Sequence, residues 1–221
     1  MPTPRQRSLW TDAWRRLAKN KGALVGLILV VIFIVMASLA PLFAPYGESE
    51  VVDVRLANHG PNWLWPFGLD QNGRDVWSRT LYGARVSLLV GVVSQLIVLA
   101  LGVPVGAIAG YYGRWVDNLC MRLLDIYQAV PMFLMCVTLA AILGPSLENA
   151  VLALGISGVP GYARLMRASV LTVREMEFIE SAKAIDLGGP SIIMRHIIPN
   201  AIAPIIVEIT MGIGAMILAG A

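Results

Sequence analysis

The stretch ALVGLILVVIFIVMASLAPLF, Ala23–Phe43, decides the class of fold. It holds 21 residues without a charged side chain, and Ser38 is its one hydroxyl. A helix rises 1.5 Å per residue, so about 20 apolar residues cover the roughly 30 Å hydrocarbon core of a bilayer. The block is too long for the apolar part of a secretory leader, and no A-x-A-like cleavage site follows it. A first span that stays in place as an anchor is expected.

The surrounding chain reads the same way. Hydrophobic residues make up 57% of the 221 positions and charged residues 14%, with a mean hydropathy of +0.70. Soluble domains carry about 25% charged residues, so water cannot be the only solvent. Four further stretches qualify or nearly do. One runs from about Val86 to Ala109, with Ser87, Ser94 and Gln95 as polar interruptions. Another covers Leu119–Leu143, with Arg122 and Asp125 near its beginning. A short one, about Leu147–Leu165, is broken by Gly155, Gly158, Pro160 and Gly161, and the last begins at Asn200. The expected fold is all-α: one polytopic transmembrane helical bundle of about five spans over residues 23–221, behind a tail of residues 1–22.

Charge placement orients the bundle. With the N-terminus inside, segments 1–22, 110–122 and 164–199 hold 13 of the 17 Lys and Arg residues. The outer loop, 44–85, holds the other four beside five acids. Basic residues accumulate on the cytoplasmic side, so a multi-pass protein of a bacterial-type inner membrane with a cytoplasmic N-terminus is expected. In the tail, Leu9, Trp10, Ala13, Trp14 and Leu17 recur at helical spacing, with Arg15, Arg16 and Lys19 off that stripe. This pattern fits an amphipathic helix in the headgroup layer, in contact with anionic lipid rather than nucleic acid. Within the second span Gly102, Gly106 and Gly110 repeat every four residues, which lays bare backbone along one helix face for close packing. Pro104 lies among them and predicts a kink.

Residues 164–199 are too polar for lipid yet still periodic. Val170, Val173, Met176, Phe178, Ile179, Ala182 and Ile185 suit an amphipathic helix. Gly188-Gly189-Pro190 stops it and starts a second, and Pro199-Asn200 ends that one. A structured helix–turn–helix between two spans suggests a docking element, where a plain connector would be short.

A resemblance follows from the residues. ESAKAIDLGGPSIIMRHIIPN, Glu180–Asn200, is similar to the E-A-A-x-x-x-G-x9-I-x-L-P loop in membrane subunits of binding-protein-dependent ABC importers, and most similar to the oligopeptide, dipeptide and nickel permease branch. Ser181 replaces the second residue of E-A-A, and Asp186 stands where that family usually has glycine. FGLDQNGRDVWSRTLYGARVSL (Phe67–Leu88) and VPGYARLMRASVLTVRE (Val159–Glu175) resemble two further segments of the branch, in the right order. The resemblance implies a permease subunit that forms the pathway for a small solute, a peptide or related compound. It implies three partners beside the membrane lipid that the spans already require: ABC ATPase subunits that bind ATP and Mg, a second homologous permease subunit, and an extracytoplasmic substrate-binding protein. It also implies a sixth helix beyond residue 221. The docking contact would involve Glu180, Ser181, Ala182, Ile185, Asp186, Leu187, Gly188, Gly189, Arg195 and His196. Glu180 and Arg195 would form its rim, with Ala182, Ile185 and Leu187 as its small or apolar face.

Catalytic readings find no support. Lys19, Lys21 and Lys183 lack the G-x-x-x-x-G-K context of a nucleotide-binding loop, so no ATP site and no cofactor is expected in this chain. His59 and His196 fall on opposite sides of the membrane, which excludes a shared metal site. Cys120 and Cys136 lie sixteen positions apart and read as buried apolar cysteines. Asp70–Asp75 lacks the glycine and terminal glutamate of a calcium loop and reads as a turn held by its own side chains. A charge at the bilayer centre costs at least about 2.5–3.5 kcal/mol, so acids within spans need partners or a task. Asp125 is one turn from Arg122, which predicts a pair. Glu208, well inside the fifth span, is read either as an interhelical hydrogen-bonding residue or as a pathway-lining one.

Overall fold

A computed structural model describes residues 17–220, and every regular element among them is helical. The tail stripe from Leu9 to Trp14 lies outside the described residues. The chain divides into two compact units, Met1–Val86 and Ser87–Ala221.

In the first unit, helix α1 (Lys21–Ser38) is capped by Asn20, whose side chain accepts from the Ala23 amide at 3.2 Å. Its apolar residues are exposed around the helix, Leu29 at 61% and Phe33 at 44%. A helix that is apolar all round and uncovered belongs in hydrocarbon. The expected span is interrupted at Leu39, and a single turn, α2 (Ala40–Phe43), follows with Pro41 in its first turn. Proline is tolerated there because the first amides of a helix have no intrahelical acceptor.

The segment between α2 and the next helix is folded around two hubs. Asp70 Oδ1 accepts the amides of Asn72 (2.8 Å) and Arg74 (3.0 Å), and its Oδ2 accepts from Arg74 Nε (3.1 Å) and Arg79 Nη1 (2.5 Å). The Arg74 amide foremost, with the Asn72 amide and the Arg74 guanidinium, holds the Asp70 carboxyl at about 2, well below its ordinary value. Gly73 sits at φ +70 with its Cα against the Asp53 carbonyl, where a side chain would meet backbone. Asp75, 2% exposed, accepts from the Ser78 amide (2.9 Å) and hydroxyl (2.6 Å), which caps α3 (Val76–Tyr112). That helix begins ten residues before the expected span, because the Asp75 cap initiates it ahead of the apolar block.

The second unit is built on α6 (Leu147–Val173), which the sequence reading broke at Gly155–Gly161. It is instead one helix of 27 residues, and residues 164–173 of the expected docking segment belong to it. Pro160 is fully buried within it. The glycines serve packing rather than interruption: a Cβ on Gly155 would meet Ile97 at 2.8 Å, and one on Gly158 would meet Val98 at 2.9 Å. The glycine ladder of α3 meets α6 as the spacing predicts. A Cβ on Gly102 would lie 3.0 Å from Tyr162 Cβ, one on Gly106 2.8 Å from Met166 Cβ, and one on Gly110 2.8 Å from Val170 Cβ. Ser94 Oγ adds an interhelical bond to the Val151 carbonyl at 3.1 Å.

The third expected span is two helices, α4 (Arg114–Gln128) and α5 (Met132–Leu143), bent by 80° at Ala129–Pro131. Pro131 is unable to continue α4, and α4 is amphipathic rather than apolar. Its acids face α6. Arg167 Nε donates to Asp117 Oδ1, and its Nη2 donates to Oδ2 at 2.5 Å. Asp125 Oδ1 accepts from Arg164 Nη2 at 2.5 Å, not from Arg122, which is exposed. Helix packing thus overrides the i,i+3 neighbour. The fifth stretch is also bent, by 63° between Gly189–Ala201 and α10 (Ala203–Gly220), beside Pro204. Among the described residues, α1 and α3 each qualify as spans by length and composition, and each bent pair qualifies where its two helices form one span, which gives two to four. Helix α6 is long enough but too polar, and its buried face is covered by protein rather than lipid.

Candidate functional site

The resemblance motif around Glu180 folds into a short arm. After α6, the chain turns at Arg174–Met176 and forms α7 (Glu177–Ala184). Its C-terminus closes as a Schellman turn: the Asp186 amide donates to the Lys183 carbonyl (3.0 Å) and the Leu187 amide to Ala182 (3.2 Å). Such a turn needs a left-handed residue, and Asp186 supplies it at φ +58. The substitution of aspartate for glycine therefore keeps the backbone path, since aspartate tolerates this region better than most residues. Gly188 then precedes α8 (Gly189–Ile192), which has Pro190 in its first turn, as the sequence predicts.

Beyond α8 the helix widens into a π turn, Ile193–Ile197, and returns to α9 (Ile198–Ala201). The Ile198 amide bonds five residues back, to Ile193. The reason is Pro199, which lacks an amide and crowds the carbonyl one turn earlier; a π bulge relieves both. The expected stop at Pro199-Asn200 is thus a widened turn, and the break falls at Ile202.

The expected contact residues separate by orientation. Glu180, Ser181, Asp186, Gly188 and Arg195 are exposed, and His196 and Leu187 are half-buried. Ile185 is 72% exposed at the tip. Ala182 points the other way, 5% exposed, into a core with Ile179, Ile192, Ile193, Ile197, Met166 and Val170. It roots the arm and has no free face. Gly189 is likewise closed off, since a Cβ there would lie 2.8 Å from the Tyr112 hydroxyl. The arginine at the root was not anticipated: Arg174 Nη1 donates to the Gly110 carbonyl at 2.8 Å, satisfying a late carbonyl of α3.

A second feature lies within the same unit, where α3, α6 and α10 converge. A cleft of about 420 Å³ is bordered by Gln95, Met132, Tyr162, Leu165, Glu208, Gly212 and Met216, among others. Tyr162 Oη donates to the backbone carbonyl of Glu208 at 3.0 Å. The interhelical bond considered for Glu208 therefore uses its main chain, and its side chain is exposed on the cleft. Gly212 makes the crossing possible: a Cβ there would lie 2.6 Å from Tyr162 Oη and 2.9 Å from Gln95 Cδ. In the sequence Gln95 reads only as a polar interruption in a span. Tyr162 and Gly212 carried no signal, since their role exists only where three helices meet. Among the described residues, no group of three or more His, Cys, Asp or Glu side chains is placed to hold a metal ion.

Comparison with known proteins gives concordant results. Residues 102–221 match the family described as binding-protein-dependent transport system inner membrane component. Residues 8–61 match the N-terminal TM domain of oligopeptide transport permease C. The chain is 45% identical to a dipeptide transport system permease protein of Alkalihalophilus pseudofirmus, over 97% of this chain and 70% of that one. It is 38% identical to glutathione transport system permease proteins of Escherichia coli and Shigella boydii, over 97% of this chain and 71% of theirs.

Proposed function

The chain belongs to the inner-membrane permease subunits of binding-protein-dependent ABC importers, in the oligopeptide and dipeptide branch, and on that footing we propose that it forms the pathway for a small peptide or related compound and is moved by separate ATPase subunits through the arm Glu177–Ile197. The names of its relatives, for dipeptides and for glutathione, support this substrate class. ATP and Mg are bound by the ATPases. A second homologous permease completes the pathway, and an extracytoplasmic binding protein delivers the solute to the segment 44–85. The distribution of Lys and Arg supports a cytoplasmic N-terminus and an arm on the same side. Residues 23–221 act as one permease domain, and the tail 1–22 rests on lipid.

The observation that carries this reading is the two-sidedness of the arm. Its inner face is fully packed, with Ile179 and Ile197 at 0% exposure, in one core with Met166 and Val170 of α6. Its outer surface exposes Ile185 most fully, with Phe178 and Met194, on the same arm as the exposed Glu180, Asp186 and Arg195. An apolar anchor inside a charged rim is the usual anatomy of an energetically important contact. Close-packed cores transmit displacement. A push on Ile185 therefore reaches α6, and through the glycine ladder it reaches α3.

The test is cysteine crosslinking from Ile185→Cys in native membranes. Capture of a nucleotide-hydrolysing subunit, with yield changing between nucleotide-free and ATP-trapped states, is the expected result. Ala182→Cys, facing inward, is expected to give little product. Capture of no ATPase from Ile185 would remove the docking role.

A further inference from the structure

We propose that the α3–α6–α10 cleft is a recognition point for the protonated amine of the solute, with the Glu208 carboxylate as its counter-ion and the Gln95 amide as a second acceptor. This inference rests on the importer reading and deepens it by naming the group that the pathway reads.

Four observations lead there. First, the Glu208 carboxylate has neither a hydrogen bond nor an ion pair among the described residues; only its main-chain carbonyl is engaged, by Tyr162. An acid placed in an apolar helix such as Ala203–Gly220 is costly without a partner, and such residues mark pathways. Second, Gln95 is 2% exposed, borders the same cleft, and its Oε1 has no donor. A buried acceptor without a donor forfeits its desolvation energy until one arrives. Third, both groups are acceptors, and an ammonium offers three N–H donors and a positive charge. Fourth, the remaining border is apolar, with Met132, Leu165 and Met216, and about 420 Å³ falls within the range of small-molecule sites. Flexible methionines adapt to varied apolar side chains, which suits a pathway for solutes of one backbone and several side chains.

The chemistry narrows the cation. One carboxylate and one amide in an apolar cleft do not make a metal site, which requires several hard oxygen or nitrogen ligands. An organic ammonium on a small apolar body fits both the charge and the lining. Gly212 is the enabling residue, because any side chain there would occupy the space of Tyr162 Oη and Gln95.

The experiment uses the purified transporter, both permeases with their ATPases, in nanodiscs without the binding protein. Equilibrium binding of leucylleucine and of its N-acetyl derivative is compared. Native protein is expected to favour the free amine by roughly tenfold, the scale of one charge-assisted hydrogen bond. Glu208→Gln is expected to lose that preference, and Glu208→Asp to keep part of it. Equal binding of the two probes by the native complex, or a preference that survives Glu208→Gln, would overturn the assignment. A loss of complex assembly in Glu208→Gln would also overturn it, by making Glu208 a structural partner of the second permease. ATP-driven uptake by native vesicles with the binding protein is measured in parallel. If uptake persists while the amine preference is absent, the site alone is wrong; if uptake is absent, the importer reading is wrong.

Discussion

Adding one methyl group at Gly106 tests how α3 and α6 are held together. A Cβ built there lies 2.8 Å from Met166 Cβ and 3.0 Å from the Ala163 carbonyl carbon, with the Ala163 oxygen nearer still. Ordinary carbon contacts begin at about 3.4 Å, so clearing the Ala163 oxygen, 2.2 Å from the built carbon, requires the helices to part by roughly 1 Å at this point. Ala163 meets the intruder with backbone, which has no rotamer to yield. Parting the helices also loosens the contacts at Gly102 and Gly110, one turn to either side. Overpacking of this kind costs about 1–3 kcal/mol, against about 1 kcal/mol gained from alanine's better helix propensity. The control is Gly26→Ala in α1, where nothing lies within 4 Å of the added carbon and only the propensity gain remains. Gly106→Ala is thus expected to fall about 1–3 kcal/mol below Gly26→Ala, since the propensity gain is common to both. At 2–4 °C per kcal/mol for a chain of this size, that is a gap on the order of 5 °C. A thiol-reactive fluorophore reports it in detergent, because Cys120 and Cys136 are both partly buried and become reactive on unfolding. If Gly106→Ala melts at or above Gly26→Ala, the ladder is not a packing device and the account of α3 against α6 fails.

Two other changes probe the turns. Asp186 holds a left-handed conformation that costs an ordinary residue about 1–2 kcal/mol, so Asp186→Gly is expected to stabilise by up to about 1 kcal/mol; Asp186→Val is expected to melt lower than native, and equal melting of all three would disprove the Schellman turn. Asp70 is held at about 2 by donors that its unfolded state lacks, so its contribution is complete above its ordinary value near 3.8 and is lost as pH falls through about 2. Proteolysis of segment 44–75 is therefore expected to stay constant from pH 7 to 4 and to accelerate only below, whereas Asp70→Asn is expected to be cleaved faster already at pH 7; a native loop that opens near pH 5 would contradict this.

Features decided by near neighbours were legible in the chain itself. Twenty-one residues in a row without a charge, all but Ser38 apolar, are solvated by lipid, so Ala23–Phe43 announces the membrane whatever else the chain does. Glycines four apart fall on one face by helix geometry, and Gly102, Gly106 and Gly110 do form the surface that α6 occupies. Gly189-Pro190 starts a helix and Asp70–Asp75 makes a turn because both depend on dihedral angles and bonds a few residues apart.

Tertiary structure decided what depends on distant partners. Gly155, Gly158 and Pro160 look like a broken span, yet α6 stays continuous because neighbouring side chains fill the space those residues leave. Asp125 chooses Arg164, 39 positions away, over Arg122 three positions away, because α6 packs on that face of α4. Ala182 and Ile185 share an amphipathic pattern, but only the packing of α7 turns one into the core and leaves the other at the tip. The Glu208 cleft is a meeting of three helices, and no local pattern encodes a meeting. Period and propensity act within a turn or two of helix, whereas the pairing of faces is settled by which surfaces exclude solvent best when all of them are present together.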